Sequence, residues 1–317
     1  MTIELKILIV GREAPYNAEF FYKKAFTNLG NNVFLINAYA GIKYPLMSRI
    51  IHTRTNFFKF TLGNLWINKH LQTSVDEIDP DVIIFFKGEM ISTKILSELS
   101  SNRSIYLFYP DTYKFPSLLR GRLVHFKTIY TASNNKGLYY NMGARKVVTV
   151  PWACDPDFHR KIQIRKKYDA SFIGTAYIER RRIIRSLKDV DVFGDFWYGF
   201  AKNAHKAVSG EDFIRTINQS FINLNLQAKV SVLANAPTMR TFEIAGCGGF
   251  QISDFMPSLK KYFANIPTFY DTKELKDLIS YFLDNKSEAY EIAHKNMETC
   301  YSFYKYIDAA RRVLSNI

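Results

Sequence analysis

The sequence predicts two α/β halves, each built on a doubly wound parallel sheet. Three observations predict this. Short apolar runs alternate with amphipathic stretches along the whole chain, which is the pattern of repeated βα units. The segment Pro151-Trp152-Ala153-Cys154-Asp155-Pro156 interrupts that alternation near the middle and reads as a linker. The chain, at 317 residues, is also long enough for two cores.

The elements follow in order. Leu5–Val10 is a strand ending at Gly11; an amphipathic stretch runs from Ala14 to Leu29, and Val33–Ile36 is the next strand. Gly11 stands alone, so the turn carries no GxGxxG dinucleotide fingerprint. Residues 41 to 73 mix Ile50, Ile51, Phe57, Phe58, Phe60 and Trp66 with Arg49, Arg54, Lys59 and Lys69. A helix of that composition lies on a membrane surface or packs its apolar stripe on the sheet with its lysines in water. Val82–Phe86, Ser104–Tyr109, Thr128–Ala132 and Lys146–Val150 are strands, with helices at Ile91–Leu99 and Lys136–Met142. The second half reads as strands Asp169–Ile173, Asp191–Phe193, Phe221–Leu226 and Thr268–Tyr270, with helices Ile178–Leu187 and Gly210–Asn218. Between them, Thr238–Gln251 is a short helix stopped by Gly246, Gly248 and Gly249 and feeding the strand that holds Phe250 and Ile252. Three helices close the chain: Lys273–Leu283, Ser287–His294 and Met297–Ser315.

Composition narrows the partners. The chain is 47% hydrophobic, with no apolar run near the roughly 18 residues that span a bilayer and no basic-then-apolar leader. Its three cysteines (Cys154, Cys247, Cys300) are scattered and show no metal spacing, so neither a disulfide framework nor a zinc site is expected. A cytoplasmic protein, free or membrane-associated, follows. The net charge is +14, and no Asp or Glu occurs from Phe20 through Val75 or from Thr112 through Cys154. Such a field favours a polyanion: an anionic membrane, a nucleic acid or a phosphate-bearing ligand.

Several residues are candidates for chemistry. Glu243 stands among apolar and small residues with Arg240 one turn before it, which reads as a ligand site or as a surface salt bridge on a capped helix. The turn Phe172-Ile173-Gly174-Thr175 follows a strand and opens a helix, where backbone amides bind phosphate, and Arg180, Arg181 and Arg182 add guanidinium donors. Asp111, Lys87-Gly88-Glu89 and Arg12-Glu13 all lie just past the carboxyl ends of strands, the edge where open α/β sheets bind ligands; a desolvated carboxylate there can act as a general base. Asp79-Pro80-Asp81 and Asp155-Pro156-Asp157 spell D-x-D, but their prolines place them in joints, and they read as structural. The six histidines have no telling partners, and no nucleophile elbow, Walker loop or zinc signature is present.

These pieces together resemble a family. The run Arg240-Thr241-Phe242-Glu243-Ile244-Ala245-Gly246-Cys247-Gly248-Gly249-Phe250 is similar to the signature of CgeB-like glycosyltransferases, relatives of the group 1 enzymes. Phe172-Ile173-Gly174 with Arg180, Gly143-Ala144 with Val150–Pro156, and Tyr270-Asp271 with Glu274-Leu275 resemble further segments of it in the same order. The resemblance implies a GT-B fold, with two Rossmann-like domains facing a cleft. The domains would run 1–152 on the acceptor side and 153–296 on the nucleotide-sugar side, with 297–317 crossing back. It also implies a UDP- or GDP-type sugar donor, no other cofactor and no obligatory metal. By position, Glu243 would bind ribose hydroxyls. Arg240, Arg180 and the amides around Gly174 and Thr175 would hold the diphosphate, with Gly248 and Gly249 in the same donor site. Asp111 is the candidate base on the acceptor side. In related group 1 enzymes a second glutamate stands seven residues before this one; here that place is Ala236. The expected activity is sugar transfer from a nucleotide diphosphate to an acceptor such as an envelope saccharide or lipid-linked intermediate. The alternatives are nucleic acid as acceptor, or a catalytically silent sugar-nucleotide binder.

Overall fold

The structure, a computed structural model, describes residues 4–38, 56–89, 91–109, 119–187 and 189–317. Two compact units emerge: Met1–Val150 together with Ala310–Ile317, and Pro151–Ala309.

The first unit contains β1 (Lys6–Gly11), α1 (Ala18–Asn28), β2 (Asn32–Asn37), α2 (Asn56–Ile78), β3 (Val82–Phe86), α3 (Thr93–Asn102), β4 (Ser104–Phe108), β5 (Thr128–Thr131), α4 (Gly137–Tyr140) and β6 (Val147–Thr149). The strands form one parallel sheet in the order β2-β1-β3-β4-β5-β6. The central strand β3, Val-Ile-Ile-Phe-Phe, is buried at every position, as a strand covered on both faces must be. Asn17 caps α1 by accepting the Phe20 N–H, and Ser92 caps α3 by accepting that of Ile95. Hydroxyls of Tyr130 and Tyr106 donate to the carbonyls of Val313 and Ile317, fastening the chain's last residues to this sheet.

The second unit contains β7 (Tyr168–Ile173), α5 (Ile178–Ser186), β8 (Val190–Phe193), β9 (Asn203–His205), α6 (Gly210–Gln219), β10 (Ser220–Asn225), α7 (Lys229–Leu233), α8 (Met239–Gly246), β11 (Gln251–Asp254), α9 (Pro257–Tyr262), β12 (Thr268–Phe269), α10 (Thr272–Asp284) and α11 (Lys286–Phe303). The last helix, α12 (Tyr306–Leu314), begins in this unit and ends in the first. Its sheet is also parallel, in the order β12-β11-β10-β7-β8-β9. In each unit the strand order reverses once, between β1 and β3 in the first and between β7 and β10 in the second. The carboxyl ends of such a pair open a crevice, because their following loops lead away in opposite directions.

Three local expectations change. The closing stretch is not Ser287–His294 followed by Met297–Ser315; α11 runs unbroken through that gap, which contains neither Gly nor Pro. The break falls at Tyr304-Lys305, where the Cys154 N–H donates to Tyr304 O and the Tyr306 N–H to Cys154 O, so tertiary pairing replaces the helical bonds. The edge strand β9 was not predicted, since Asn-Ala-His lacks strand-forming side chains; pairing with β8 and the His205–Asp191 contact at 2.6 Å hold it. Only Gly248 among the helix-stopping glycines has a positive φ, +65°. Gly246 and Gly249 are needed for closeness instead: a Cβ would lie 2.7 Å from that of Cys154 in one case and 2.8 Å from Ile217 Cγ2 in the other. The scattered cysteines are all free and buried, and burial pushes the thiols of Cys247 and Cys300 well up.

Candidate donor site

The crevice of the second unit is built from the loops after β7 and β10. Gly174, first after β7, donates its N–H to Phe193 O at 2.9 Å and accepts the Trp197 indole N–H at 2.7 Å. A Cβ on Gly174 would press on the Phe172 ring at 2.8 Å. Gly194, at φ +155°, faces it so closely that a Cβ there would lie 2.2 Å from Gly174 O. The loops after β7 and β8 are therefore interlocked, and the backbone at Gly174-Thr175 is rigid.

Arg180 crosses the reversal point. From α5 it donates Nε to Leu226 O, past β10, at 2.9 Å, and Nη1 to Thr175 O, past β7, at 3.2 Å. The rings of Phe172 and Tyr177 flank the guanidinium at 5.1 and 5.0 Å. These partners are carbonyl dipoles and π faces, so they hold the cation without cancelling its charge. Burial lowers the Arg180 pKa, and the neighbouring Arg240 charge acts in the same direction while Tyr177 and Asp254 oppose it. The neighbouring arginines turn elsewhere: Arg181 and Arg185 stack on Phe200, at 3.9 and 5.0 Å.

Arg240 and Glu243 lie on α8. Nη1 of Arg240 stands 3.1 Å from Glu243 Oε2, and its guanidinium lies 4.2 Å over the Phe213 ring. The contact is an ion pair. The surface-salt-bridge reading fails on burial: the Glu243 side chain is 6% exposed and that of Arg240 31%. Burial pushes the Glu243 pKa up, but the charge of Arg240, together with His159, more than offsets this and leaves it below the usual range.

A polar network beneath α8 escaped sequence reading. Asn225 donates to Thr241 Oγ1 and Gln251 Oε1, Gln227 donates to Asn225 Oδ1, and Gln251 donates to Thr241 O, all at 2.8 to 2.9 Å. The Thr238 N–H, at the start of α8, donates to Gln227 Oε1. These bonds lock the amino end of α8 to the carboxyl end of β10 and to Gln251, the first residue of β11, and so fix the helix that carries Arg240. Asp254, last in β11, was missed as well. It accepts the Gln227 N–H at 2.6 Å, and burial raises its pKa to about 6. An acid closing an apolar strand, Ile252-Ser253-Asp254, was the available signal.

Gly174, Thr175 and Arg180 thus meet at this crevice, and Arg240 stands on α8 paired with Glu243. Gly248 and Gly249 lie at the far end of α8, where Cβ atoms would meet Lys161 and Met297, or Ile217 and Ile244. Asp111 lies outside the described residues. Of the 41–73 segment, residues 41–55 lie outside them too, and the helix begins at Asn56. Both D-x-D pairs serve their joints. Asp81 accepts the Lys6 N–H, Asp79 pairs with Arg103 at 2.7 Å, and Asp155 accepts the Asp157 N–H. Among the described residues no cluster of three or more His, Cys, Asp or Glu is placed to hold a metal, and no helix is long and apolar enough to cross a membrane.

The first unit's crevice collects other groups. Lys87 and Gly88, past β3, both have positive φ, +73° and +67°. Glu89 is buried, and its charge supports that of Arg122 against burial. Glu19, another residue the sequence did not flag, is buried at the start of α1 and accepts the Arg12 N–H at 3.0 Å. A cavity of about 490 Å³ beside α1 is lined by Glu13, Pro15, Phe20, Lys23, Lys24 and Leu35, among others.

Residues 178–315 match a family model described as "Glycosyl transferase-like". No curated protein sequence matches the chain. Solved structures resemble it over nearly its full length. Sucrose-phosphate synthase from Thermosynechococcus elongatus is 8% identical over 98% of this chain and 97% of its own, with a TM-score of 0.69. A glycosyltransferase involved in avilamycin A biosynthesis is 14% identical over 98% and 96%, with a TM-score of 0.61. A protein described as a UDP-N-acetylglucosamine 2-epimerase from Listeria monocytogenes is 9% identical over 99% and 95%, with a TM-score of 0.60. Identities this low carry the fold alone. The fold is GT-B, with two Rossmann-like units, and the glycosyltransferase-like segment covers most of the second.

Proposed function

We propose that the protein is a glycosyltransferase of the group 1 type that takes its sugar from a nucleoside-diphosphate donor bound at the crevice of the second unit. One observation carries this reading: the Arg180 guanidinium bridges the loops after β7 and β10, donating to Thr175 O and Leu226 O at the carboxyl edge of the sheet. Arg180 is anchored by carbonyls and keeps its charge for a ligand. A guanidinium held by carbonyls at the carboxyl ends of β7 and β10, with Arg240 on a helix of the same unit, suits an anion, and a diphosphate fits that demand.

In this reading Arg180, Arg240 and the amides at Gly174-Thr175 bind the diphosphate. They then stabilise the negative charge that grows on its oxygen as the glycosidic bond breaks. Glu243 meets the ribose hydroxyls once Arg240 turns to the phosphates. The glycosyltransferase-like match over residues 178–315 supports transfer as the reaction. Because the same fold also serves a protein described as an epimerase, the decisive experiment must follow transfer itself. UDP or GDP release across a panel of sugar donors, with and without acceptor, tests it; acceptor-dependent release is expected. Loss of the sugar nucleotide only by epimerisation would sink the reading. The acid-poor, basic first half supports an acceptor at an anionic surface, and binding to anionic vesicles that weakens with salt is the expected sign.

A further inference from the structure

Arg240 has two claims on it. It is the principal counter-charge of the buried Glu243, and it is a proposed ligand of the diphosphate. Turning to the phosphates leaves a buried carboxylate without that partner, which is costly unless another donor takes its place. His159 stands where such a donor is needed. Its Nε2 lies 3.7 Å from Glu243 Oε1, whereas the 3.1 Å contact of Arg240 is to Oε2, and the histidine side chain is 1% exposed.

The histidine's tautomer follows from its other nitrogen. The Asp155 N–H donates to Nδ1 at 3.0 Å, so Nδ1 is the acceptor and the ring proton sits on Nε2, facing Glu243. The ring cannot drift. The His159 N–H donates to Asp155 O at 2.6 Å, and the Tyr301 hydroxyl lies 2.9 Å from both His159 O and Gly246 O, tying this loop to the end of α8. Gly246 allows the approach, because a Cβ there would lie 3.2 Å from that of His159. At 3.7 Å the contact is longer than a hydrogen bond, and a shift of less than about 1 Å closes it.

We propose that His159 is a positioning residue for Glu243, donating Nε2–H to its carboxylate when Arg240 turns to the donor's diphosphate. This rests on the nucleotide-sugar reading. Two variants separate the histidine's two bonds. His159→Asn keeps an acceptor for the Asp155 N–H and loses the donor toward Glu243. His159→Gln places an amide donor near the Nε2 position and loses the acceptor. UDP and GDP binding by calorimetry, KM against kcat for whichever sugar donor is turned over, and Tm are measured for both. The expected result is a rise in Kd and KM of about 10-fold for the Asn variant with kcat little changed. The Gln variant should stay within about 3-fold of wild type even if its Tm falls. Losses that follow Tm, with Gln as weak as Asn, would make the residue merely structural and overturn the proposal. Should the Asn variant not fold, the Gln variant decides alone: affinity kept while Tm falls supports the proposal, and affinity lost along with Tm overturns it. If wild type binds no nucleoside diphosphate at all, the donor reading falls, and this proposal with it.

Discussion

The two crevices share a template and differ in what their charges are spent on. In the first unit, Glu19 uses its carboxylate to close its own loop, accepting the Arg12 N–H while Asn17 donates to Arg12 O. Arg122 there gives Nε to Ile91 O beside the carboxylate of Glu89. In the second unit Arg180 takes a similar carbonyl anchor at two loops, while Arg240 pairs with Glu243 on α8. A reversal of strand order supplies the opening in both, and both mix cations with acids; in the second the Arg180 side chain is hydrogen-bonded to carbonyls alone. Topology alone therefore does not choose the donor half. In the proposed reading what distinguishes the second is Arg180, which joins the loops after β7 and β10 through their carbonyls.

The largest expected effect tests that distinction directly. Arg180→Met keeps an apolar stem against Phe172 and Tyr177 but leaves the carbonyls of Leu226 and Thr175 without this donor. UDP or GDP affinity should fall roughly 10- to 100-fold, the worth of about 1.5–3 kcal/mol for a charged hydrogen bond. Arg122→Met, the matching change in the first unit, should lower Tm and leave nucleotide affinity alone. Equal loss of affinity in both variants, read by calorimetry on folded protein, would erase the proposed difference between the crevices.

How much of this was legible follows from which forces act locally. Strand-and-helix alternation is written in consecutive residues, so β1, β3, β7 and β10 could be placed from the sequence, and with them the two sheets. Gly174 and Arg180 were legible because a strand–turn–helix puts them six residues apart. His159 was not, since its partners Asp155 and Glu243 meet only when the linker packs on α8. The Asn225–Gln227–Thr241–Gln251 network was hidden for the same reason: its members come from three elements, and none is unusual alone. Gly248 and Gly249 show the converse case, in which the fold supplies a packing reason that the sequence did not suggest. Their place in a family-like run suggested ligand contact, whereas the space around them is filled by side chains.

A smaller effect separates the buried acids. Asp254 has its pKa raised to about 6 by burial, against an ordinary value near 4. A raised folded-state value means the ionised form is disfavoured in the fold. Its contribution to stability is therefore full below about pH 4 and is lost as pH rises through about 6. Two units correspond to about 3 kcal/mol, an upper figure for the loss at neutral pH. Asp254→Asn still offers an oxygen to the Gln227 N–H and carries no charge, so it should be the more stable protein at pH 8, with the advantage shrinking toward pH 5. Parallel Tm profiles for the two proteins between pH 5 and 8 would refute the assignment.

Glu19 should show the smallest effect and so sharpens the comparison from the other side. Burial raises its pKa too, but the Arg12 and Glu19 backbone bonds and the charges of Lys87 and Arg12 pull it back. The sign matches that of Asp254, stability being lost as pH rises through the folded value, with a weaker net push. In Glu19→Gln the amide oxygen can still accept the Arg12 N–H, and a Cβ-free Gly11 still leaves room, since Glu19 Cγ would lie only 2.8 Å from a Cβ there. The expected change in stability at pH 7 is less than about 1 kcal/mol, read by chemical denaturation, with nucleotide affinity unaltered. A large loss of donor affinity in this variant would mean that Glu19 serves the ligand rather than its own loop.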